Sequence, residues 1–332
     1  MKAVVLERSL ADKIQIVDVE QGSLEPDYVR VRVKAAALNH RDEWARKGLY
    51  PNLKDGIILG SDGAGEVSGV GSGVSKGWLG KEVIINPSLF WGDDQRAQSK
   101  DFGILGIPTN GTLAEFVDVP SDRIKVKPSH LSWEEAAALP LAGITAYRAL
   151  FYRGGLQSDQ KVLITGFGGG VAQFATQFAI YAGAKVWVSS SSKQKIERAI
   201  SLGAKGGFDY LNEDWVNQAK EESEGFDLII DGAAGQGFAN LLKVVSPGGT
   251  IVFYGATTGN PEGLDARRVF WNQITIKGST MGSDQDFEEM LDFVNRNQIH
   301  PVVDQVFELE EAVNAFDRMK AGKQMGKIVL TP

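Results

Sequence analysis

The 332-residue sequence contains no cysteine and only three histidines. Without cysteine, disulfides, thiol catalysis and zinc sites built from thiolates are excluded. No apolar run approaches the roughly 20 residues that a membrane-spanning helix requires. The acidic Glu7 comes too soon after Met1 for a signal peptide. We therefore expect a cytoplasmic protein with no membrane partner.

Positive charge is also scarce, since the formal net charge is -7. A broad nucleic-acid surface needs clustered lysine and arginine, so no nucleic-acid partner is expected. Hydrophobic residues make up 43% of the chain and charged residues 23%, which is typical of a globular protein with a sizeable core. At this length, two domains are the natural expectation.

The first third of the chain is predicted to be rich in β-structure. Strands are predicted at residues 2–6 and 14–19, and alternating apolar residues predict another at residues 28–35. Glycines then interrupt short apolar pieces between Gly60 and Gly80, which favours tight turns in a barrel-like sheet. Near Ser132 the predicted secondary structure changes from strands to helix, because Ser132 and Glu135 form a capping box ahead of a helical run.

From Lys161 onward, short apolar strands alternate with amphipathic helices. This alternation predicts a doubly wound parallel sheet of the α/β class. The last helix, residues 309–320, is followed by residues 326–330, a predicted strand that rejoins the N-terminal domain. We therefore expect residues 1–125 and 300–332 to form the β-rich domain and residues 126–299 a dinucleotide-binding domain.

A glycine-rich turn lies between an apolar strand and a helix, and it fits the relaxed pattern G-x-x-G-x-x-A. Gly166 would form the turn, Gly169 would let a pyrophosphate approach and Ala172 would pack closely. The helix that begins near Gly170 offers free N–H groups to a phosphate. The alternative is a strand-to-helix turn that binds nothing. The predicted cofactor contacts here are Gly166, Gly169, Gly170, Val171 and Ala172.

The segment after the second parallel strand indicates which dinucleotide binds. An NAD site would place a carboxylate there, but the sequence has none. Ser191, Ser192 and Lys195 supply hydroxyls and an ammonium suited to a 2′-phosphate. NADPH is therefore favoured over NADH. The other interpretation is a solvated loop in which a serine caps the following helix.

Several motifs together resemble the medium-chain dehydrogenase/reductase superfamily over nearly the whole chain. They are residues 36–42, 48–51, 59–65 and 139–147, the glycine turn and residues 326–330. The resemblance implies a Rossmann cofactor domain with a doubly wound parallel sheet and a β-rich, barrel-like (GroES-like) catalytic domain. It also implies an oxidoreductase that uses a nicotinamide cofactor.

The resemblance also bears on metals. Zinc alcohol dehydrogenases of this superfamily have three metal ligands at motif positions that hold Asn39, Ser61 and Leu141 here. A structural zinc in those relatives uses four cysteines, and the matching lobe, residues 86–110, contains none. Both metals are expected to be missing, as in the zinc-free quinone oxidoreductase and enoyl reductase branch. A zinc held by His40, Asp42 and Asp62 is the alternative.

This branch implies hydride transfer from NADPH to a quinone or an α,β-unsaturated carbonyl. By resemblance, Asn39, Asp42 and Tyr50 line the substrate site, with Tyr50 as a phenolic donor and Asn39 as an amide contact. Tyr50 as a loop anchor and Asp42 as a local cap or ion-pair partner are the alternative roles. The alternative functions are an alcohol or aldehyde oxidoreductase and an NADPH-binding sensor with little turnover.

The resemblance places further contacts and an assembly. It puts Tyr210 near the 2′-phosphate, and it implies a homodimer joined through the strand at residues 274–277. An exposed apolar edge strand needs such cover. Residues expected near the nicotinamide are Thr145, Gly255, Ala256, Ser279 and Thr280.

Overall fold

A computed structural model describes all residues, 1–332. The chain divides into two compact units. The first comprises Met1–Ala142 and Gly282–Pro332, and the second comprises Gly143–Met281.

The N-terminal part of the first unit consists mostly of short strands. The strands are β1 (Lys2–Leu6), β2 (Ile14–Asp18), β3 (Tyr28–Ala37), β4 (Asp62–Val70), β5 (Glu82–Ile85), β6 (Ser88–Leu89), β7 (Gly103–Ile104), β8 (Phe116–Pro120) and β9 (Ile124–Val126). Two helices accompany them, α1 (His40–Arg46) and α2 (Trp133–Ala138). Helix α3 (Pro140–Tyr147) begins in the first unit and continues into the second, where it runs into a π-helical turn at Arg148–Arg153.

The second unit alternates strands with helices, as the sequence predicted. Its elements are β10 (Lys161–Ile164), α4 (Gly170–Tyr181), β11 (Lys185–Ser190), α5 (Lys193–Ser201), β12 (Gly206–Asp209), α6 (Trp215–Ser223), β13 (Phe226–Asp231), α7 (Phe238–Val244), β14 (Val245–Phe253), α8 (Ala266–Trp271) and β15 (Thr275–Gly278). The chain then returns to the first unit through α9 (Asp284–Asn297), β16 (Val303–Glu308), α10 (Ala312–Lys320) and β17 (Lys327–Thr331).

The first unit is built on a seven-stranded sheet in the order β16-β17-β3-β4-β5-β9, with β8 also paired to β3. Strand β17 pairs antiparallel with β3, which confirms that the C-terminal strand rejoins the N-terminal sheet. On β3 the side chains alternate, and Val29, Val31 and Val33 point into the core. This alternation is the pattern of a strand with one buried face.

The second unit has a six-stranded parallel sheet in the order β12-β11-β10-β13-β14-β15. The order reverses between β10 and β13, and dinucleotides bind at the carboxyl ends of strands at such a reversal. Strand β10 is buried on both faces, as a central parallel strand must be. The predicted doubly wound parallel sheet and the β-rich character of the other domain are thus confirmed.

The division between the units differs from the predicted one. The capping box of Ser132 and Glu135 is present, but the helix it starts, α2, packs on β3 and β4 of the first unit. Helix α9 also belongs to the first unit, where Asp284 accepts hydrogen bonds from Arg123 at 2.7 Å and Asn86 at 3.1 Å. Tertiary packing of these two helices therefore moves the boundaries between the units away from the predicted positions.

No helix combines the length and apolar character needed to cross a bilayer.

Candidate functional site

The glycine turn connects β10 to α4 within the second unit. Gly166 has φ +65° and Gly168 has φ +147°, a region in which glycine is strongly favoured. Helix α4 begins at Gly170, and no side chain caps its amino end. The N–H groups of a first helical turn then have no partner within the helix, so this end is suited to a phosphate.

A cluster of hydroxyls and one ammonium lies beside this turn. The Lys195 side chain folds over Gly168, where a Cβ would lie 2.8 Å from the Lys195 Nζ. Tyr210 donates a hydrogen bond to Ser191 Oγ at 3.1 Å. Ser192 caps α5 by accepting from the Lys195 backbone N–H, which is the capping role considered for this segment. The structure thus brings together Ser191, Ser192, Lys195, Tyr210 and the glycine turn.

Two loops after β13 and β14 are joined at the carboxyl edge of the same sheet. The Thr258 N–H and hydroxyl both donate to the Ala233 carbonyl, at 3.0 and 2.9 Å. Gly255 and Ala256 lie in the second of these loops. The Ser279 hydroxyl, directly after β15, is buried and has no hydrogen-bond partner within the protein. An orphaned polar group is costly to bury, so this position fits a contact with a bound molecule.

The sequence reasoning missed Asp231, the last residue of β13. Its carboxylate is buried and accepts from the Thr165 hydroxyl at 2.5 Å and from the Ala234 N–H at 2.8 Å. Ala234 has φ +55°, which is strained for a residue with a Cβ. Asp231 therefore holds the loop in place. The sequence signal for Asp231 was a single acidic residue at the end of an apolar strand.

Two further residues were predicted to lie near the nicotinamide. Thr145 is buried in α3, and Thr280 follows Ser279.

In the first unit, Asn39, Asp62 and Lys327 form a buried hydrogen-bonded cluster. Lys327 Nζ donates to Asn39 Oδ1 at 2.6 Å and to Asp62 Oδ2 at 2.8 Å. Asn39 Nδ2 donates to Asp62 Oδ2 at 2.9 Å. The Leu141 N–H donates to the other Asp62 oxygen at 2.8 Å. Asp62 therefore receives three donors, which compensates for burying its charge.

Asp42 lies one turn into α1 and is fully buried. Its Oδ2 accepts from the Asn39 N–H at 2.8 Å, while Oδ1 has no partner. Burial raises the pKa of Asp42 to about 6, against the opposing effects of Arg41 and the Asn39 N–H. This contact matches the local capping role that was the alternative for Asp42.

Tyr50 is half-buried and lies against Arg41. The guanidinium of Arg41 is 4.8 Å from the ring centroid of Tyr50, and its Nε donates to the phenol oxygen at 3.4 Å. Arg41 also donates to Ser61 Oγ and to the carbonyls of Leu105 and Ile107. The sequence reasoning did not assign a role to Arg41.

His40, the first residue of α1, remains exposed to solvent. Protein atoms around the ring still displace part of its water, and this desolvation lowers the pKa of His40. The positive charges of Lys327 and Lys47 lower it further, while Glu43 opposes them.

The residues at the expected metal position do not fit zinc. Leu141 has no ligand atom in its side chain, and the Ser61 hydroxyl is held between Arg41 and the Leu105 carbonyl. The Asn39 amide is bonded at one end to an ammonium and at the other to a carboxylate. No group of three or more His, Asp or Glu side chains is arranged to hold a metal ion. Binding at Asp62 would place the metal beside the Lys327 ammonium, which is also positive.

Residues 25–129 match the alcohol dehydrogenase GroES-like domain family, and residues 170–296 match the zinc-binding dehydrogenase family. The chain is 34% identical to the zinc-type alcohol dehydrogenase-like protein YogA of Leptosphaeria maculans, over 96% of this chain and 94% of that protein. It is 31% identical to the crotonyl-CoA reductase of Streptomyces collinus, over 95% and 80% of the two chains.

Among solved structures, one named as an NAD-dependent alcohol dehydrogenase superposes with a TM-score of 0.95 at 36% identity, covering 100% of both chains. The similarity therefore extends through both units and includes the glycine turn. The chain belongs to the medium-chain dehydrogenase/reductase superfamily, whose members bind nicotinamide cofactors, and it is an oxidoreductase of that superfamily.

Proposed function

We propose that this protein is an NADPH-dependent reductase that transfers a hydride to a quinone or an α,β-unsaturated carbonyl without using zinc. The observation that carries this proposal is the cluster of Lys327, Asp62 and Asn39. By resemblance, Asn39 stands at a motif position that holds a zinc ligand in the metal-dependent relatives, and here an ammonium is bonded to it. An acceptor bound here would meet hydrogen-bond donors instead of a Lewis acid.

The cofactor assignment depends on the groups around the glycine turn. Ser191, Tyr210 and Lys195 lie beside that turn, and β11 ends without an acidic side chain. An ammonium and hydroxyls favour a 2′-phosphate, whereas a carboxylate there would favour the ribose hydroxyls of NAD. A similar solved structure carries NAD in its name, so direct comparison of the two cofactors is the decisive test.

Tyr50 is the proposed hydrogen-bond donor to the acceptor oxygen. Arginine has no acceptor atom, so the phenol oxygen must be the acceptor in its contact with Arg41. The phenol proton then remains available for a substrate oxygen. When bound, NADPH supplies the hydride. The oxygen that gains negative charge is stabilised by Tyr50 and Asn39 and is afterwards protonated from solvent.

Donors of this kind suit an acceptor that is already electron-poor. A quinone or an enone becomes a delocalised anion on gaining a hydride, so two hydrogen bonds are sufficient stabilisation. A simple ketone or aldehyde places the charge on one oxygen and benefits more from a metal ion. The alcohol dehydrogenase names of several relatives make alcohol or aldehyde turnover the second candidate function.

A panel of acceptors tests the proposal. NADPH consumption would be followed by absorbance with quinones, enones and aldehydes, each with and without added zinc. We expect turnover with quinones or enones that zinc does not increase. Turnover confined to aldehydes would support the second candidate function. Cofactor binding without turnover on the whole panel would indicate a sensor, and either result contradicts the proposal.

We also propose that the protein is a homodimer joined through β15. This strand lies at the edge of the six-stranded sheet, where its backbone groups have no further strand to pair with. Phe270 and Trp271, which precede the strand, are 67% and 80% exposed. Large exposed aromatic side chains next to an unpaired strand favour a protein interface, and a second copy would cover both.

A further inference from the structure

Lys327 begins β17, and its side chain is only 4% exposed. It lies 288 residues along the chain from Asn39 and 265 from Asp62, yet its ammonium contacts both side chains. A buried ammonium is costly unless it is paired and hydrogen-bonded. Asp62 supplies the opposite charge, and Asn39 Oδ1 accepts a second of the three ammonium N–H groups.

The two charged neighbours fix the orientation of the Asn39 amide. An ammonium only donates, so the amide atom that it meets at 2.6 Å must be the oxygen. An ionised carboxylate only accepts, so the amide atom 2.9 Å from Asp62 must be the nitrogen. The flip that is usually ambiguous for asparagine is therefore settled by chemistry.

The same contacts leave one specific group unused. The amide nitrogen carries two N–H groups, and Asp62 accepts one of them. The amide oxygen is held by Lys327. The remaining N–H is thus the available polar group of Asn39, and it can only donate.

Asp62 is itself fixed, which makes the orientation of Asn39 rigid. Its second oxygen accepts from the Leu141 N–H at 2.8 Å, and its side chain is fully buried. The Asn39 backbone N–H is in turn bound by Asp42 at 2.8 Å. Both the backbone and the side chain of Asn39 are therefore held before any substrate arrives.

We propose that Lys327 is a positioning residue that, together with Asp62, holds the Asn39 amide with one N–H directed to the substrate oxygen. This inference rests on the proposed function, because it assigns a role in the same reduction. Without the ammonium, the amide is held only through its N–H bond to Asp62, so it can swing about that bond and its second N–H is no longer held in one direction. Lys327 would in this way help to stabilise the negative charge on the substrate oxygen, as zinc does in the metal-dependent relatives, but it would act through the Asn39 amide.

The orientation of the amide can be measured without turnover. In protein labelled with ¹⁵N-asparagine, the two side-chain protons of Asn39 would be assigned by their loss in Asn39→Ala. We expect well-separated, slowly exchanging proton signals, because one N–H is bound to a carboxylate. In Lys327→Met the separation should shrink and exchange should quicken, whereas Lys327→Arg should keep both. An unchanged pair of signals in Lys327→Met would overturn the proposal.

Kinetics provide the second readout. Asn39→Ala should lower kcat for a quinone or enone by about 100-fold, the effect typical of losing one oxyanion donor. Lys327→Met should cause a comparable fall, and Lys327→Met/Asn39→Ala should fall no further, since Lys327 acts through Asn39. Lys327→Arg should recover part of the activity. Additive losses, or weakened NADPH binding in Lys327→Met, would show a different role.

Controls separate this inference from folding and from the proposed function. Lys2→Met removes an exposed lysine paired with Glu310 in the same unit and should change neither readout. If Lys327→Met does not fold, Lys327→Met/Asp62→Asn removes both buried charges and should show the same mobile amide. If the wild type reduces no acceptor, the proposed function fails. The amide signals then still decide whether Lys327 orients Asn39.

Discussion

The guanidinium of Arg41 stacks on Tyr50, with its central carbon 4.8 Å from the ring centroid. The far side of the same guanidinium is anchored at 2.5 Å to Ser61 Oγ and at 2.7 Å to the Leu105 carbonyl. A cation over an aromatic face is attracted to it, more strongly when both are shielded from water. Tyr50 is thus held by a buried, fixed partner, and its phenol proton is left to donate.

Tyr50→Phe removes only that phenol oxygen and keeps the ring over Arg41. We expect kcat for a quinone or enone to fall by about 100-fold, because one donor to the developing oxyanion is lost. NADPH affinity should not change, since Tyr50 lies in the first unit and the proposed cofactor contacts lie in the second. Steady-state kinetics with a titration of cofactor fluorescence would measure both.

Tyr28→Phe is the matched control for this change. Tyr28 begins β3 in the same unit, at the end of the strand away from Asn39, so its phenol should not affect turnover. Unchanged turnover and substrate affinity in Tyr50→Phe would show that Tyr50 is a loop anchor and not a donor.

Lys195→Ala should weaken NADPH binding by about 10- to 100-fold, the range expected for losing one charged hydrogen bond. NADH binding should change little, because NADH has no 2′-phosphate. Lys193→Ala is the control, since that side chain is 91% exposed and pairs with Glu197. Calorimetric titration of both cofactors would give the ratio. Equal losses for NADPH and NADH in Lys195→Ala would reject the NADPH assignment.

Asp42→Asn should change how stability depends on pH. The folded state raises the pKa of Asp42 from 3.8 to about 6, so ionisation is harder in the folded than in the unfolded chain. Wild-type stability should therefore decrease as pH rises from about 4 to 6 and lose nothing more from this group above 6. The variant has no ionisable group at this position, so its unfolding free energy should not decrease for this reason.

The predicted quantity is the difference in unfolding free energy between Asp42→Asn and wild type. It should shift in favour of the variant by up to about 3 kcal/mol between pH 4 and pH 7. Urea unfolding at several pH values would measure it, with the exposed Asp12→Asn as a control. A difference that stays constant over this range would mean that Asp42 ionises as easily in the folded state as in the unfolded chain.

Trp271→Glu should shift the assembly from dimer to monomer. The substitution places a charge on a position that is 80% exposed in the single chain and that we expect a second copy to cover. Sedimentation velocity over a range of concentrations would show the change, with Trp78→Phe in the first unit as a control. A wild-type protein that remains monomeric at high concentration would contradict the proposed dimer.

The fold was largely predictable because its signals are local. Alternation along residues 28–35 and apolar runs such as residues 226–231 define strands whichever partner they find. Strand β12, residues 206–209, has no clear local signal because it starts with two glycines. A Cβ at Gly207 would lie 2.7 Å from Ile196 Cγ2. Glycine is disfavoured in strands, but the close packing of α5 against β12 requires it at this position.

The candidate site was predictable only in part. Motif resemblance identified Asn39, Tyr50 and Lys195, and whether they act as expected stays a prediction. Lys327 could not be assigned to the site from the sequence, because its partners Asn39 and Asp62 lie more than 260 residues away. Only the pairing of β17 with β3 brings them together. Arg41 lies in the sequence between Asn39 and Asp42, both of which were predicted to line the substrate site. Its role depends on which way its side chain points, and sequence spacing does not determine that.

Hydride transfer in this protein is proposed to depend on Lys327, Asp62 and Asn39 in place of zinc. The most direct test is kcat/KM for a quinone with NADPH, measured before and after treatment with a chelator, with zinc content determined by mass spectrometry on the same samples. We predict only substoichiometric zinc and unchanged kcat/KM after chelation. One zinc per chain, together with loss of turnover on chelation and its recovery when zinc is returned, would contradict the claim.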